Sequence, residues 1–209
     1  MKTVAILATV LPILSAFAAP VPENDGKGKK SHDSGKGVYE PNSQYISNGV
    51  FDFTSTYSAY ATPDQVVNAN STPTPGESGA YGWFNYGINA RQEIICYNIT
   101  VFVSGNYSSP AKTATHIHQA VYGRNGPPRI AFPNPTITSP IDEFGRRVSI
   151  GCLQGPFTTG LTPNGTDTGT NFTLAQIEQN PPGFFTDTHT ASYLAGAIRG
   201  QLTLTGTSY

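Results

Sequence analysis

Residues 93–103 read Glu-Ile-Ile-Cys-Tyr-Asn-Ile-Thr-Val-Phe-Val, and no other stretch constrains the fold of this chain as much. Ile95, Tyr97, Ile99, Val101 and Val103 fall at every second position, with Ile94, Cys96, Asn98, Thr100 and Phe102 between them. Alternate side chains leave a strand on opposite faces, so a period of two over this length specifies a half-buried β-strand. The odd-numbered set is assigned to a core. The even-numbered set includes Asn98-Ile99-Thr100, an N-glycosylation sequon, which requires its face to be open. A strand of this kind needs hydrogen-bonded neighbours, and the rest of the chain supplies them.

Further strand signals run over 50–60, 65–68, 79–89, 113–121, 147–153, 184–190 and 197–205, rich in β-formers and bounded by Gly, Pro and Asn. Tyr81, Trp83 and Tyr86 are assigned to core packing, with stacking on a sugar ring as the alternative use. In the last segment Ile198, Gly200, Leu202 and Leu204 share one face, and Arg199, Gln201 and Thr203 share the other. Segments 124–140 and 155–170 read as loops. One short helix is expected near 173–180, with Thr173 as N-cap, Gln176 as its capping-box partner and Pro181-Pro182 as terminator. Seven or eight short strands with turns about every ten residues predict an all-β, Greek-key β-sandwich of immunoglobulin-like or superoxide-dismutase-like type. A closed barrel is the alternative.

The ends place the chain in a compartment. Residues 1–19 have a lysine, an apolar run and Ala16-Phe17-Ala18, the pattern of a secretory signal peptide. Residues 20–47 are polar and lysine-bearing without apolar periodicity, which reads as a disordered tether, and the domain is expected over 48–209. No segment approaches the roughly 20 apolar residues of a membrane span. A net charge of -1 argues against a nucleic-acid partner. Five sequons, at Asn70, Asn98, Asn106, Asn164 and Asn171, point to a secreted glycoprotein. Cys96 and Cys152 are the two cysteines. An oxidising compartment favours a disulfide between them, and two separate buried thiols are the competing reading.

Chemistry concentrates at Ala114-Thr-His-Ile-His118. Two histidines one residue apart on a strand point the same way, which aims two imidazoles at one metal ion or ligand. The plainer reading makes them partly buried polar residues bonded to Thr115, Tyr122 or backbone groups. No nucleophile elbow, phosphate loop or paired-carboxylate site is present; Asp142 and Glu143 are adjacent acids on a loop. No catalytic residue is assigned.

Ile-Ile-Cys-Tyr-Asn-Ile-Thr-Val at 94–101, Ala-Thr-His-Ile-His with Gly-Arg-Asn-Gly-Pro after it, Phe-Phe-Thr-Asp-Thr-His-Thr at 184–190 and Ala-Ile-Arg-Gly-Gln-Leu at 197–202 occur in that order. Together they resemble the chordin-type (CHRD) domain over about 52 to 205. Gln119 stands where that family usually has a small residue, and Ala197 where it usually has an acid. The resemblance implies a secreted, non-catalytic β-sandwich module that binds an extracellular protein or a cell-wall polymer, with no cofactor.

The arrangement is also similar, more distantly, to the copper/zinc superoxide dismutase sandwich. That similarity implies copper ligands at His116, His118 and His189. Asp187, two residues before His189 on the same strand face, either completes such a site or supports it. Arg199 is read as a supporting residue that makes an ion pair or hydrogen bond. No histidine lies between 119 and 188, so the bridging imidazole and the zinc set are missing. The alternative is therefore a mononuclear copper or zinc protein. It requires the ring nitrogens of His189 to lie within about 6 Å of those of His118.

Overall fold

The computed structural model describes Gly49, residues 51–138 and residues 145–208. The signal-peptide and tether readings, His32, Asp142 and Glu143 lie outside the described residues.

Ten strands form two antiparallel sheets: β1 (Ser55–Ala61), β2 (Tyr81–Asn89), β3 (Ile94–Phe102), β4 (Thr115–Gln119), β5 (Pro128–Phe132), β6 (Thr136–Ile137), β7 (Arg146–Gln154), β8 (Phe184–Thr190), β9 (Tyr193–Gln201) and β10 (Thr203–Thr207). Among the described residues, one short α-helix, α1 (Leu174–Gln179), precedes β8. The six-stranded sheet has the order β10-β1-β2-β3-β7-β6 and the four-stranded sheet β5-β4-β8-β9. The chain passes from one sheet to the other after β3, β5, β7 and β9, which makes an open sandwich with no closed barrel. Among the described residues, no helix is long and apolar enough to cross a membrane.

The core lies between the sheets. Ile95, Tyr97, Ile99, Val101 and Val103 are all buried in it, as the alternation requires. They meet Ile117, Ile130, Phe132 and Ile198 from the four-stranded sheet. One polar bridge crosses this layer: the Tyr86 hydroxyl lies 2.8 Å from Thr186 Oγ1, which donates to the His116 carbonyl at 2.8 Å. Cys96 and Cys152 are register partners on β3 and β7 and form a disulfide.

Several expectations are corrected. Trp83 is 46% exposed, because Tyr81 and Trp83 share the outward parity of β2 while Phe84, Tyr86 and Ile88 take the inward one. The loop expected at 124–140 contains β5, which tolerates Pro128 because that residue starts an edge strand. Segment 65–68 forms a 3₁₀ turn over 63–65 and an isolated bridge from Val67 to Pro73, since Pro63 sets up the turn. The final segment is two strands: the chain changes sheet at Leu202, and Leu204 becomes 45% exposed. Thr173 is the N-cap position but makes no side-chain cap bond; Glu93 Oε2 instead accepts the Leu174 amide at 3.0 Å.

Candidate metal centre

The outward face of the four-stranded sheet is built from a register. His116 pairs with Asp187 and Asp187 with Arg199, while His118 pairs with Phe185. Ile117, Thr186 and Thr188 point into the core, so His116, His118, Phe185 and Asp187 must point outward. An irregularity in the β8–β9 pairing between Thr188 and Thr190 falls at His189. The spacing Asp187-Thr188-His189 repeats that of His116-Ile117-His118, so two neighbouring strands each deliver two ligating groups to one spot.

That spot is compact. The ligating atoms of His116, His118, Asp187 and His189 all lie within 4.8 Å of one another. His116 Nδ1 is 3.5 Å from Asp187 Oδ1, and His118 Nε2 and His189 Nε2 are 3.2 and 3.1 Å from Asp187 Oδ2. Ligand bonds of about 2.0–2.1 Å arranged tetrahedrally separate neighbouring donor atoms by about 3.3–3.4 Å, close to the separations of His118 Nε2 and His189 Nε2 from Asp187 Oδ2, while His116 Nδ1 is nearest the other carboxylate oxygen. With separations of up to 4.8 Å, the donor atoms would draw in by up to about 1.4 Å to reach such edges.

Each imidazole is oriented from behind by a backbone carbonyl. His116 Nε2 donates to Thr113 O at 2.7 Å, His118 Nδ1 to Gly126 O at 2.8 Å, and His189 Nδ1 to Leu194 O at 3.0 Å. Carbonyls only accept, so the N–H of each neutral ring is committed there and a lone pair faces Asp187. His116 Nδ1, His118 Nε2 and Asp187 Oδ1 are buried without a hydrogen-bond partner. Three lone pairs converging on a carboxylate repel unless a positive charge sits among them.

Protons can supply only part of that charge. Burial pulls His116 down, toward the neutral imidazole. At His189 burial acts the same way, but the adjacent Asp187 carboxylate prevails and raises it. Burial likewise pushes Asp187 up, and the charges of His118 and His189 overcome it, holding its carboxyl well below the usual range. A buried trio of imidazoliums is not sustained in this setting.

The surroundings are specific. His118 stacks on the Phe185 ring at 4.7 Å, and the Arg199 guanidinium lies 3.5 Å from the centre of the same ring. Arg199 donates to Val121 O at 3.4 Å and makes no ion pair with Asp187. Gly126 approaches so closely that a Cβ there would meet Gln119 O at 2.0 Å, which is why the loop can bring its carbonyl to His118. A cavity of about 730 Å³ opens over the histidines, walled by Val67, Pro110, Pro127, Leu161 and Leu194. Arg124, Arg129, Arg146 and Arg147 do not line it.

The structure thus brings His116, His118 and His189 together, inside the limit that the spacing argument set. Asp187 stands among the four groups that could hold a metal ion. Arg199 lies over the Phe185 ring on which His118 stacks. The three carbonyls and the cavity wall were not readable, because segments outside the histidine strand, two loops and the start of β9 among them, supply them. All five sequon asparagines are exposed.

The family model described as CHRD domain matches residues 57–202. No curated protein and no solved structure matches the chain. The match takes in most of β1 and all of β2 to β9, with the histidine strand, the disulfide and the β8–β9 pair, and on that span the chain belongs to the CHRD-domain family.

Proposed function

We propose that the chain is a secreted, glycosylated extracellular module that holds one divalent copper or zinc ion with His116, His118, His189 and Asp187. The observation that carries this reading is the proton accounting above. Every histidine turns one ring nitrogen to a backbone carbonyl and the other toward Asp187, and His116 Nδ1, His118 Nε2 and Asp187 Oδ1 are buried without a hydrogen-bond partner. Imidazole and carboxylate donors suit copper and zinc. CHRD-family membership and the disulfide support the extracellular setting. The module is non-catalytic, because a fourth protein ligand, Asp187, takes the position that an open catalytic site keeps for substrate.

Elemental analysis of the purified protein tests this. Stoichiometric copper or zinc is expected, and its loss from His116→Ala/His118→Ala with the fold intact by circular dichroism. Protein that stays metal-free after dialysis against either ion overturns the reading.

A binding role toward an extracellular protein or cell-wall polymer rests on a different observation. Tyr60, Tyr81, Trp83 and Phe102 form an open aromatic cluster on the six-stranded sheet, with Tyr81 stacked on Phe102 at 4.5 Å. Such rings offer flat faces to sugar rings or apolar side chains. Co-sedimentation with insoluble wall polysaccharide, weakened in Trp83→Ala, is the expected result.

A further inference from the structure

The outward face of the six-stranded sheet holds a second feature, independent of the metal cluster. Across β1, β2, β3 and β7 the outward side chains fall into rows. Thr56, Gly87, Cys96 and Cys152 form one; Ser58, Asn85, Asn98 and Ile150 form the next; Tyr60, Trp83, Thr100 and Val148 form a third. Phe53 folds over the first row: a Cβ on Gly87 would meet its ring at 2.4 Å. The middle row is short and polar apart from Ile150, so it forms the floor of a trough beside the Phe53 wall. The resulting groove has a volume of about 780 Å³ and is lined by Phe51, Phe53, Asn85, Asn98, Ile150 and the disulfide, among others.

This groove is apolar at its walls and open to water: Phe51 is 74% exposed and Ile150 is 69% exposed. Exposed apolar surface of this kind marks a covered site. Asn98 and Thr100, the modified and the recognised residues of a sequon, stand on the same face, with the Asn98 side chain rising from the groove floor. A pyranose has an apolar face and a polar rim, which match aromatic and aliphatic walls above an amide- and hydroxyl-bearing floor. The volume lies within the range of about 300–1,000 Å³ that accommodates small ligands.

We propose that Asn98 carries an N-linked glycan whose first sugars lie in this groove, against Ile150 and the Phe51–Phe53 wall. The sugar attached at Asn98 is the occupant with the shortest reach, since Ile150 is its direct cross-strand neighbour and Asn85 faces it from the other side. The glycan covers the apolar groove and leaves the Trp83 cluster free. The proposal rests on the secreted reading but not on the metal.

The test uses the full chain secreted from a eukaryotic host, with the amidase PNGase F applied under native conditions and each sequon peptide followed by mass spectrometry. Glycan release from Asn98 is expected to be at least about tenfold slower than from the other occupied sequons, because it requires the packed sugars to lift away. Ile150→Ser keeps the sequon and is expected to remove that protection. Asn98→Gln and Thr100→Val, which abolish the sequon by different residues, are expected to lower the melting temperature alike and to leave metal content unchanged. Occupied sequons elsewhere with a bare Asn98, or release from Asn98 as fast as from the rest, overturn the proposal alone. Five bare sequons overturn the secreted reading as well. Self-association of the fully glycosylated protein, relieved by Ile150→Ser, would assign the groove to a second copy and overturn the proposal.

Discussion

The outward faces of the two sheets invert the usual distribution of polarity. The six-stranded sheet shows water Trp83, Tyr60, Phe51 and Ile150. The four-stranded sheet hides His116, His118, Asp187 and Arg199 beneath loops, each of them under 9% exposed. Burying those four costs free energy that the hydrophobic effect cannot return, and leaving the aromatics wet forgoes stabilisation. The two faces therefore mark the places where the sequence serves something other than stability. The connection between them is narrow: a hydrophobic layer and the Tyr86–Thr186 bridge.

If the faces are independent, the strongest constraint on one should leave the other untouched. Replacing Cys96 and Cys152 together with alanine opens a loop whose ends are 56 positions apart, and the chain-entropy relation gives a loss of about 4 kcal/mol. Chemical denaturation should show that loss, while metal stoichiometry stays as in the parent. Metal loss in the folded double variant would mean that the disulfide helps to shape the opposite sheet.

The reverse experiment acts on the histidine face. At a free metal concentration about a hundredfold above Kd, stability should rise by about 2.7 kcal/mol. The same rise is expected in Asn98→Gln and none in His116→Ala/His118→Ala. A rise that survives in the double variant would locate the binding elsewhere.

The bridge between the sheets comes next. Thr186→Val preserves shape but removes the partner of the Tyr86 hydroxyl and the donor to the His116 carbonyl, both buried. The expected cost is about 2 kcal/mol, with a parallel weakening of metal binding because His116 loses a backbone anchor. Unchanged metal affinity would make the bridge a matter of stability only.

The sequence made the two sheets unequally legible. β3 was plain from its alternation, and β8 runs from Phe184 to Thr190 as read, because both strands bury one continuous face. β5 was missed because prolines dominate its approach, and an edge position that excuses Pro128 is a tertiary fact. Trp83 was misplaced although its parity with Tyr81, opposite to Phe84 and Ile88, carried the answer. At the site, His116, His118 and His189 were found by spacing and resemblance. The central place of Asp187 was signalled by its own i, i+2 relation to His189. The Thr113, Gly126 and Leu194 carbonyls that fix the rings leave no sequence signal, since any residue provides a carbonyl and only the tertiary fold aims it.

The smallest expected effect concerns the loop that roofs the four-stranded sheet. Asp167 accepts the amides of Thr159 at 3.0 Å and of Gly160 and Gly169 at 2.7 Å each, and so shapes the segment bearing Leu161 and Thr168 over the cavity. Its slight burial pushes its pKa up, but those amides outweigh that and hold it below its ordinary value of 3.8. A carboxyl with a depressed folded pKa contributes stability that is present above its unfolded pKa and lost as the pH falls through the folded one. Asp167→Asn should therefore cost under about 1 kcal/mol at neutral pH, because the group is partly exposed and screened by solvent. The difference from the parent should shrink once the pH drops below 3.8, as the parent carboxyl takes up its proton. Paired thermal melts of the two proteins between neutral and acid pH measure it. A gap that stays constant across that range would show that the loop is held by Arg129, which donates to Thr168 O at 2.6 Å, and not by the Asp167 charge.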